Sequence, residues 1–279
     1  MERRTLLIFV IAAVLLSTAM AWLTLSGGHW RGRHAPALDV LREERSVSAF
    51  HKLELNGSAD VTLVQGAATS VAIETAGGAP VVSVVHDGTL TIETRDPRAG
   101  WKRFFNRGRR VIPRITVTFA ELTDIEAAGA IKLRSSGIRT PSLHVDIAGA
   151  GTLDLDNLQT ERLFVEGAGT VKANVNGRAT DQRVEISGAG NYHAPALASE
   201  TARVDVSGAG NVVINASKTL KVDISGAGAV AYVGNPSVEK SISGMGNVRQ
   251  LTHKGEVRVN DSAKPPAPDD RRHGHMLVA

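Results

Sequence analysis

Residues Val204–Ile214 read VDVSGAGNVVI, and close variants recur at Val145–Leu153 (VDIAGAGTL), Phe164–Val171 (FVEGAGTV), Val184–Tyr192 (VEISGAGNY), Val222–Val230 (VDISGAGAV) and Ser241–Val248 (SISGMGNV). Counted from the first glycine of each G-x-G, the copies at Gly149, Gly167, Gly188, Gly208, Gly226 and Gly244 are separated by 18, 21, 20, 18 and 18 residues. Ala127-Ala128-Gly129 is a degenerate copy, and Leu55–Leu63 (LNGSADVTL) fits the same template. Short units at a steady period build stacked architectures, in which each layer buries its apolar face against the next. The predicted fold is all-β: a right-handed parallel β-helix (β-solenoid) of 18–22-residue coils.

Within one unit, Val204, Val206, Val212 and Ile214 alternate onto one face, while Asp205 and Ser207 fall on the other. The chain is expected to turn within Gly-Ala-Gly, where glycine supplies positive φ or close backbone approach. The predicted structural turn glycines are Gly149, Gly151, Gly167, Gly169, Gly188, Gly190, Gly208, Gly210, Gly226, Gly228, Gly244 and Gly246. Two residues before each first glycine stand Ile147, Val165, Ile186, Val206, Ile224 and Ile242, a predicted β-branched core column. After each second glycine come Thr152, Thr170, Asn191, Asn211, Ala229 and Asn247, polar side chains suited to hydrogen bonding between layers.

The outward positions carry charge. Asp146, Phe164, Glu185, Asp205, Asp223 and Ser241 lie three residues before the first glycine, and such a carboxylate column invites a calcium or catalytic reading. His144, Arg162, Arg183, Arg203, Lys221 and Glu239 lie two residues earlier, on the same face. Opposite charges so placed offset like-charge repulsion and form a solvated network, so no catalytic or metal residue is expected here and no cofactor. The enzymatic alternative is a carbohydrate-active β-helix enzyme on acidic polysaccharide, with Glu185, Asp205 and Asp223 as its carboxylates. No G-x-G-x-x-G joins a strand to a helix, no G-x-S-x-G elbow occurs, and His273-Gly274-His275 lacks a third ligand.

Outside the repeat, residues 47–120 alternate as strands, with Asp87-Gly88 as a hairpin signal between Val81–His86 and Thr89–Thr94. A basic loop at 95–114 interrupts them, with eight Lys and Arg residues against the single acid Asp96. The rest of the chain carries fewer basic than acidic residues, so the pI near 9.6 describes this segment rather than the body. Trp101, Lys102, Arg103, Phe104, Phe105, Arg107, Arg109 and Arg110 interleave aromatic and basic side chains, a composition suited to anionic surfaces; the plain alternative is a loop capping the stack.

Residues 1–28 carry Arg3 and Arg4 before an apolar run. This reads either as a signal peptide cleaved after Ala21 or as a retained anchor, with residues 5–25 associating with a membrane. Either places the remainder in the periplasm or cell envelope. Residues 29–46 read as a linker with at most one helical turn, 47–259 as the repeat domain and 260–279 as a disordered tail. The absence of cysteine removes disulfides and thiolate chemistry.

Phe50–Gly66 (F-x-K-L-x-L-x-G-x-x-D-V-x-L-x-Q-G), Asp87–Ile92 (D-G-x-L-x-I), Thr116–Leu122 and the S-G-A-G series together resemble the putative autotransporter adhesin head, or GIN domain, family. The resemblance covers roughly Val47 to Val259 and implies a bacterial exported domain of β-helical character, with no catalytic residues to carry over. The expected function is a non-enzymatic, adhesin-like surface-interaction scaffold. A membrane-anchored periplasmic sensor or regulator is a further alternative. The expected partner is an envelope component, an anionic glycan or a lipid headgroup, and not nucleic acid, from which export separates the chain.

Overall fold

The computed structural model describes residues 40–76, 80–95 and 112–251, and these are all-β, with no helix among them. In chain order the first strands are β1 (Val40–Ser46), β2 (Lys52–Gln65), β3 (Ser70–Ala76), β4 (Val81–His86), β5 (Thr89–Thr94), β6 (Arg114–Phe119), β7 (Asp124–Ser135) and β8 (Ile138–Arg139). The glycine repeat supplies β9 (Ser142–His193), β10 (Leu197–Val206), β11 (Ala209–Asn215), β12 (Thr219–Ile224), β13 (Ala227–Val233), β14 (Ser237–Ile242) and β15 (Asn247–Gln250). One hydrogen-bonded sheet contains all fifteen.

Residues 1–39, 77–79, 96–111 and 252–279 lie outside the described residues. The predicted signal or anchor, most of the linker, the C-terminal tail and the aromatic-basic loop fall there. The end of the linker does not behave as expected: Val40–Ser46 is a strand, paired antiparallel with β3 from Val40 opposite Ala76 to Ser46 opposite Ser70. Its charge run suggested a solvated turn, but an edge strand accepts charged side chains. Arg42 pairs with Glu74, and Arg45 donates to the Val81 carbonyl at 3.3 Å and to Ser83 Oγ at 2.9 Å.

β4 and β5 form the expected hairpin, with Asp87 at φ 48° and Gly88 at φ 72°, the two positive values a tight two-residue turn requires. The Gly57-Ser58-Ala59 segment of the first template copy lies within continuous β2, with Gly57 at φ 112°. The parallel registers then march through the repeat. Asp124 of β7 lies opposite His144 of β9, Val184 of β9 opposite Val204 of β10, and Val204 opposite Val222 of β12.

The first three Gly-Ala-Gly segments also bend rather than break the strand, since β9 runs unbroken through them, whereas the chain leaves the strand as expected at Gly208, Gly226 and Gly244, between β10 and β11, β12 and β13, and β14 and β15. One glycine per repeat stacks in a column, and each lies against the backbone of the one before. A Cβ on Gly149 would sit 2.6 Å from the Gly129 carbonyl oxygen, and one on Gly208 would sit 2.3 Å from that of Gly188. Only a residue without Cβ allows strands to approach there. The glycine of the third copy that joins this column is Gly169, not Gly167. A Cβ on Gly169 would lie 2.3 Å from the Gly149 oxygen, and Gly188 in turn abuts Gly169. The spacings are therefore 20, 19, 20, 18 and 18 from Gly149 onward.

This shift rewrites the interior. The second glycines, such as Gly151 and Gly190, face the core beside a branched neighbour: a Cβ on Gly151 would be 2.2 Å from Ile147 Cγ2. In the shifted copy the two roles exchange, with Gly167 at the level of Ile147 and Val171 at the level of Gly151. Val165 belongs with Val145 and Val184 rather than with Ile147 and Ile186. Volume is conserved across the pair, as a close-packed interior demands. All these side chains join a single buried cluster, and each fully buried Val or Ile contributes roughly 1.5–3 kcal/mol.

Within that cluster, Gln182 Nε2 donates to the Tyr192 hydroxyl at 2.7 Å, and Ser199 Oγ donates to the Asn215 carbonyl. Burial pushes the Tyr192 phenol well above its ordinary pKa. At the other end of the repeat, β14 is exposed along its length. Val238 and Ile242 there carry the interior pattern, while Lys240 stands opposite buried Val222.

Candidate functional site

The outward face of β2, β7, β9, β10, β12 and β14 carries two adjacent side-chain columns. Register places Glu54 opposite Glu126 and Glu126 opposite Asp146, and places Asp205 opposite both Glu185 and Asp223. Counted back from the glycine column, Glu166 fills the remaining layer. The carboxylate column is thus unbroken from Glu54 to Asp223, with Ser241 following on β14, where the expected alignment had put Phe164 among the carboxylates. Phe164 belongs to the neighbouring column, between His144 and Arg183. The His144 and Phe164 ring centroids are 4.6 Å apart, and the Arg183 guanidinium carbon lies 5.2 Å from the Phe164 centroid. Arg162 consequently leaves the basic column, and Lys172 stands where Thr170 was expected.

The basic column holds the acidic one. Arg203 donates to Asp205 at 2.9 Å through Nε and reaches Asp223 at 3.3 Å, bridging two layers. Arg183 Nε donates to Glu185 at 2.7 Å and Lys52 pairs with Glu126, while Lys221 pairs at 3.0 Å with Glu239 of its own column. These hydrogen bonds raise the Arg203 guanidinium and the Lys52 ammonium above their ordinary values, led by Asp205 and Glu126 respectively. Glu185, Asp205 and Asp223, the carboxylates of the enzymatic alternative, are thus brought together but engaged as acceptors. Among the described residues, no three His, Asp or Glu side chains are grouped to hold a metal ion.

One layer further from the glycines lies a third column that sequence reasoning did not single out: Ser142, Arg162, Asp181, Thr201, Thr219 and Ser237. With the Phe164, Arg183, Arg203 and Lys221 column it lines an open groove of roughly 650 Å³ that crosses six layers. Small hydroxyl residues, Ser142, Thr201, Thr219 and Ser237, and long side chains both line it. The signal that could have found it was the same count to Gly169 that repositions Phe164.

The opposite outward face is tied by amides: Asn211 donates to Asn191 at 3.2 Å, Asn174 to Asp154 at 2.6 Å and Asn176 to Asp156 at 2.9 Å. Trp101, Lys102, Arg103, Phe104, Phe105, Arg107, Arg109 and Arg110 lie outside the described residues, as noted for their loop. No helix among the described residues is long and apolar enough to cross a membrane.

A family model described as putative auto-transporter adhesin, head GIN domain, matches residues 49–236. Among solved structures, a putative adhesin from Bacteroides fragilis superposes with a TM-score of 0.68 at 22% identity, over 77% of this chain and 99% of that one. A putative adhesin from Parabacteroides distasonis gives 0.56 at 16% identity, covering 76% and 97%. A putative lipid binding protein from the same species gives 0.55 at 20% identity, with the same coverage. Comparison with curated proteins finds no match.

Proposed function

Because the chain belongs to the putative auto-transporter adhesin, head GIN domain, family, we propose that it is an exported, non-enzymatic scaffold for surface interaction at the cell envelope. Its repeat closes into a right-handed parallel β-solenoid. Parallel registers of 18 and 20 residues and the single buried cluster support that closure. The names of the similar solved structures favour an adhesin-like role.

The observation that carries the non-enzymatic reading is the engagement of Asp205 and Asp223 by one guanidinium. A general acid needs a carboxyl kept protonated, and a nucleophile needs a free oxygen facing substrate. Asp205 and Asp223, both held by Arg203, offer neither. Incubation of the exported chain with envelope polysaccharides tests this by assay of new reducing ends. None are expected. Release of reducing ends that disappears in the Asp205→Ala, Asp223→Ala double variant would replace this proposal with the enzyme.

A further inference from the structure

We infer that the groove over β9, β10, β12 and β14 is a binding site for an extended, uncharged polysaccharide. The inference deepens the surface-interaction proposal and rests on it. Three features of the groove converge on this ligand. The first is shape: Ser142 and Ser237 stand at its two ends, five layers apart, so at about 4.8 Å per layer it is about 24 Å long and open. That geometry takes a chain laid across the strands rather than a compact molecule.

The second is its chemistry. Thr201, Thr219 and Ser237 carry hydroxyls one per layer, that of Thr201 donating to Asp181, and beside them stand the Arg203–Asp205 and Lys221–Glu239 pairs. Each pair is already oriented, so donors and acceptors lie side by side, as sugar hydroxyls require of a partner. Phe164, half-buried between His144 and Arg183, adds the apolar edge of its ring to the groove.

The third is charge. Arg183 pairs with Glu185, Arg203 with Asp205 and Asp223, and Lys221 with Glu239, while Asp181 offsets the charge of Arg162 in the lining. An anionic chain would meet those carboxylates and displace existing ion pairs. A neutral chain meets no such repulsion. The ligand class therefore differs in charge from the one the composition of the basic loop suggests.

Affinity electrophoresis of the full chain through gels containing mannan, dextran or mixed-linkage β-glucan tests the assignment, with polygalacturonate as the acidic comparator. At least one neutral polymer is expected to retard the protein, and retardation should persist as NaCl rises to about 1 M, where screening reduces charge attraction to contact range. Phe164→Ser with Arg183→Ser should weaken that retardation about tenfold. Lys132→Ser on the other outward face should not, and circular dichroism should show both variants folded. Retardation by none of the three neutral polymers overturns the assignment. So does retardation by polygalacturonate alone that salt abolishes, although that result would leave the surface-interaction proposal standing. Release of reducing ends, by contrast, strikes that proposal and not the groove.

Discussion

The ring of Phe164 packs on that of His144, twenty residues earlier, with centroids 4.6 Å apart. That contact fixes the register of the third repeat copy, because residues twenty apart can stack only if Gly169 is the glycine lying over Gly149. The core exchange of Gly167 with Val171 and the completion of the carboxylate column by Glu166 follow from it.

Replacing each glycine of that copy tests the register. Gly169 has φ 120° and its Cβ would meet the Gly149 carbonyl, so Gly169→Ala should destabilise by roughly 2–3 kcal/mol or more. A Cβ on Gly167 meets only the Val171 methyl at 3.2 Å, so Gly167→Ala should cost distinctly less. Urea unfolding midpoints give the order, and the reverse order would restore the alignment by first glycines.

Most of the architecture could be read from the sequence. Alternation marked β4 and β5 to the residue, because the Asp87-Gly88 turn separates them. The interior columns were visible wherever a copy kept the full S-G-A-G signature. Legibility failed where two signals conflicted. EGAG at 166–169 offers two glycines and no serine, and only packing decides which of them faces the neighbouring backbone. β1 was missed because its charges hide an edge strand. The groove was missed because the Ser and Thr in its lining have no chemical signature until the layers are stacked.

Salt should reveal the ion-pair ladder. Arg203→Gln removes the partner of two stacked carboxylates and should lower the unfolding midpoint in dilute buffer. Addition of about 1 M NaCl should close most of the gap to the parent protein. A gap that salt leaves unchanged would mean that Arg203 acts by packing its stem.

High pH should act through Tyr192. Its folded pKa is raised by burial above the unfolded value near 10, so the folded state holds the proton where the unfolded state releases it. Stability is full below about pH 10 and falls as pH climbs toward the folded value. Tyr192→Phe should start less stable, because Gln182 loses its partner, yet show a shallower decline in thermal midpoint between about pH 9 and 11. Parallel declines would show that other groups govern the alkaline limb.

Lys240 should guard the exposed end of the repeat. It occupies an interior position beside exposed Val238 and Ile242, and an inward-pointing charge discourages strand-to-strand association. Lys240→Val should promote concentration-dependent self-association, measured by sedimentation velocity; a variant that stays monomeric at high concentration would assign Lys240 no such role.

For the basic loop, serine at Lys102, Arg103, Arg107, Arg109 and Arg110 should weaken binding to phosphatidylglycerol vesicles without moving the unfolding midpoint. Unchanged vesicle binding would remove the loop as an anionic-surface contact.

The stacking of one repeat per layer is the claim on which both proposals depend, and the cysteine-free chain permits a direct test by paired spin labels on the exposed column beside the glycines. With one label at Ala128 and the other at Ser207, Ser225 or Ser243, the partners are four, five and six layers away. Pulsed dipolar distances should then rise in even steps, at about 19, 24 and 29 Å, allowing for the label arms. Distances that fail to increase with layer number would contradict the stack and, with it, the ladder and the groove.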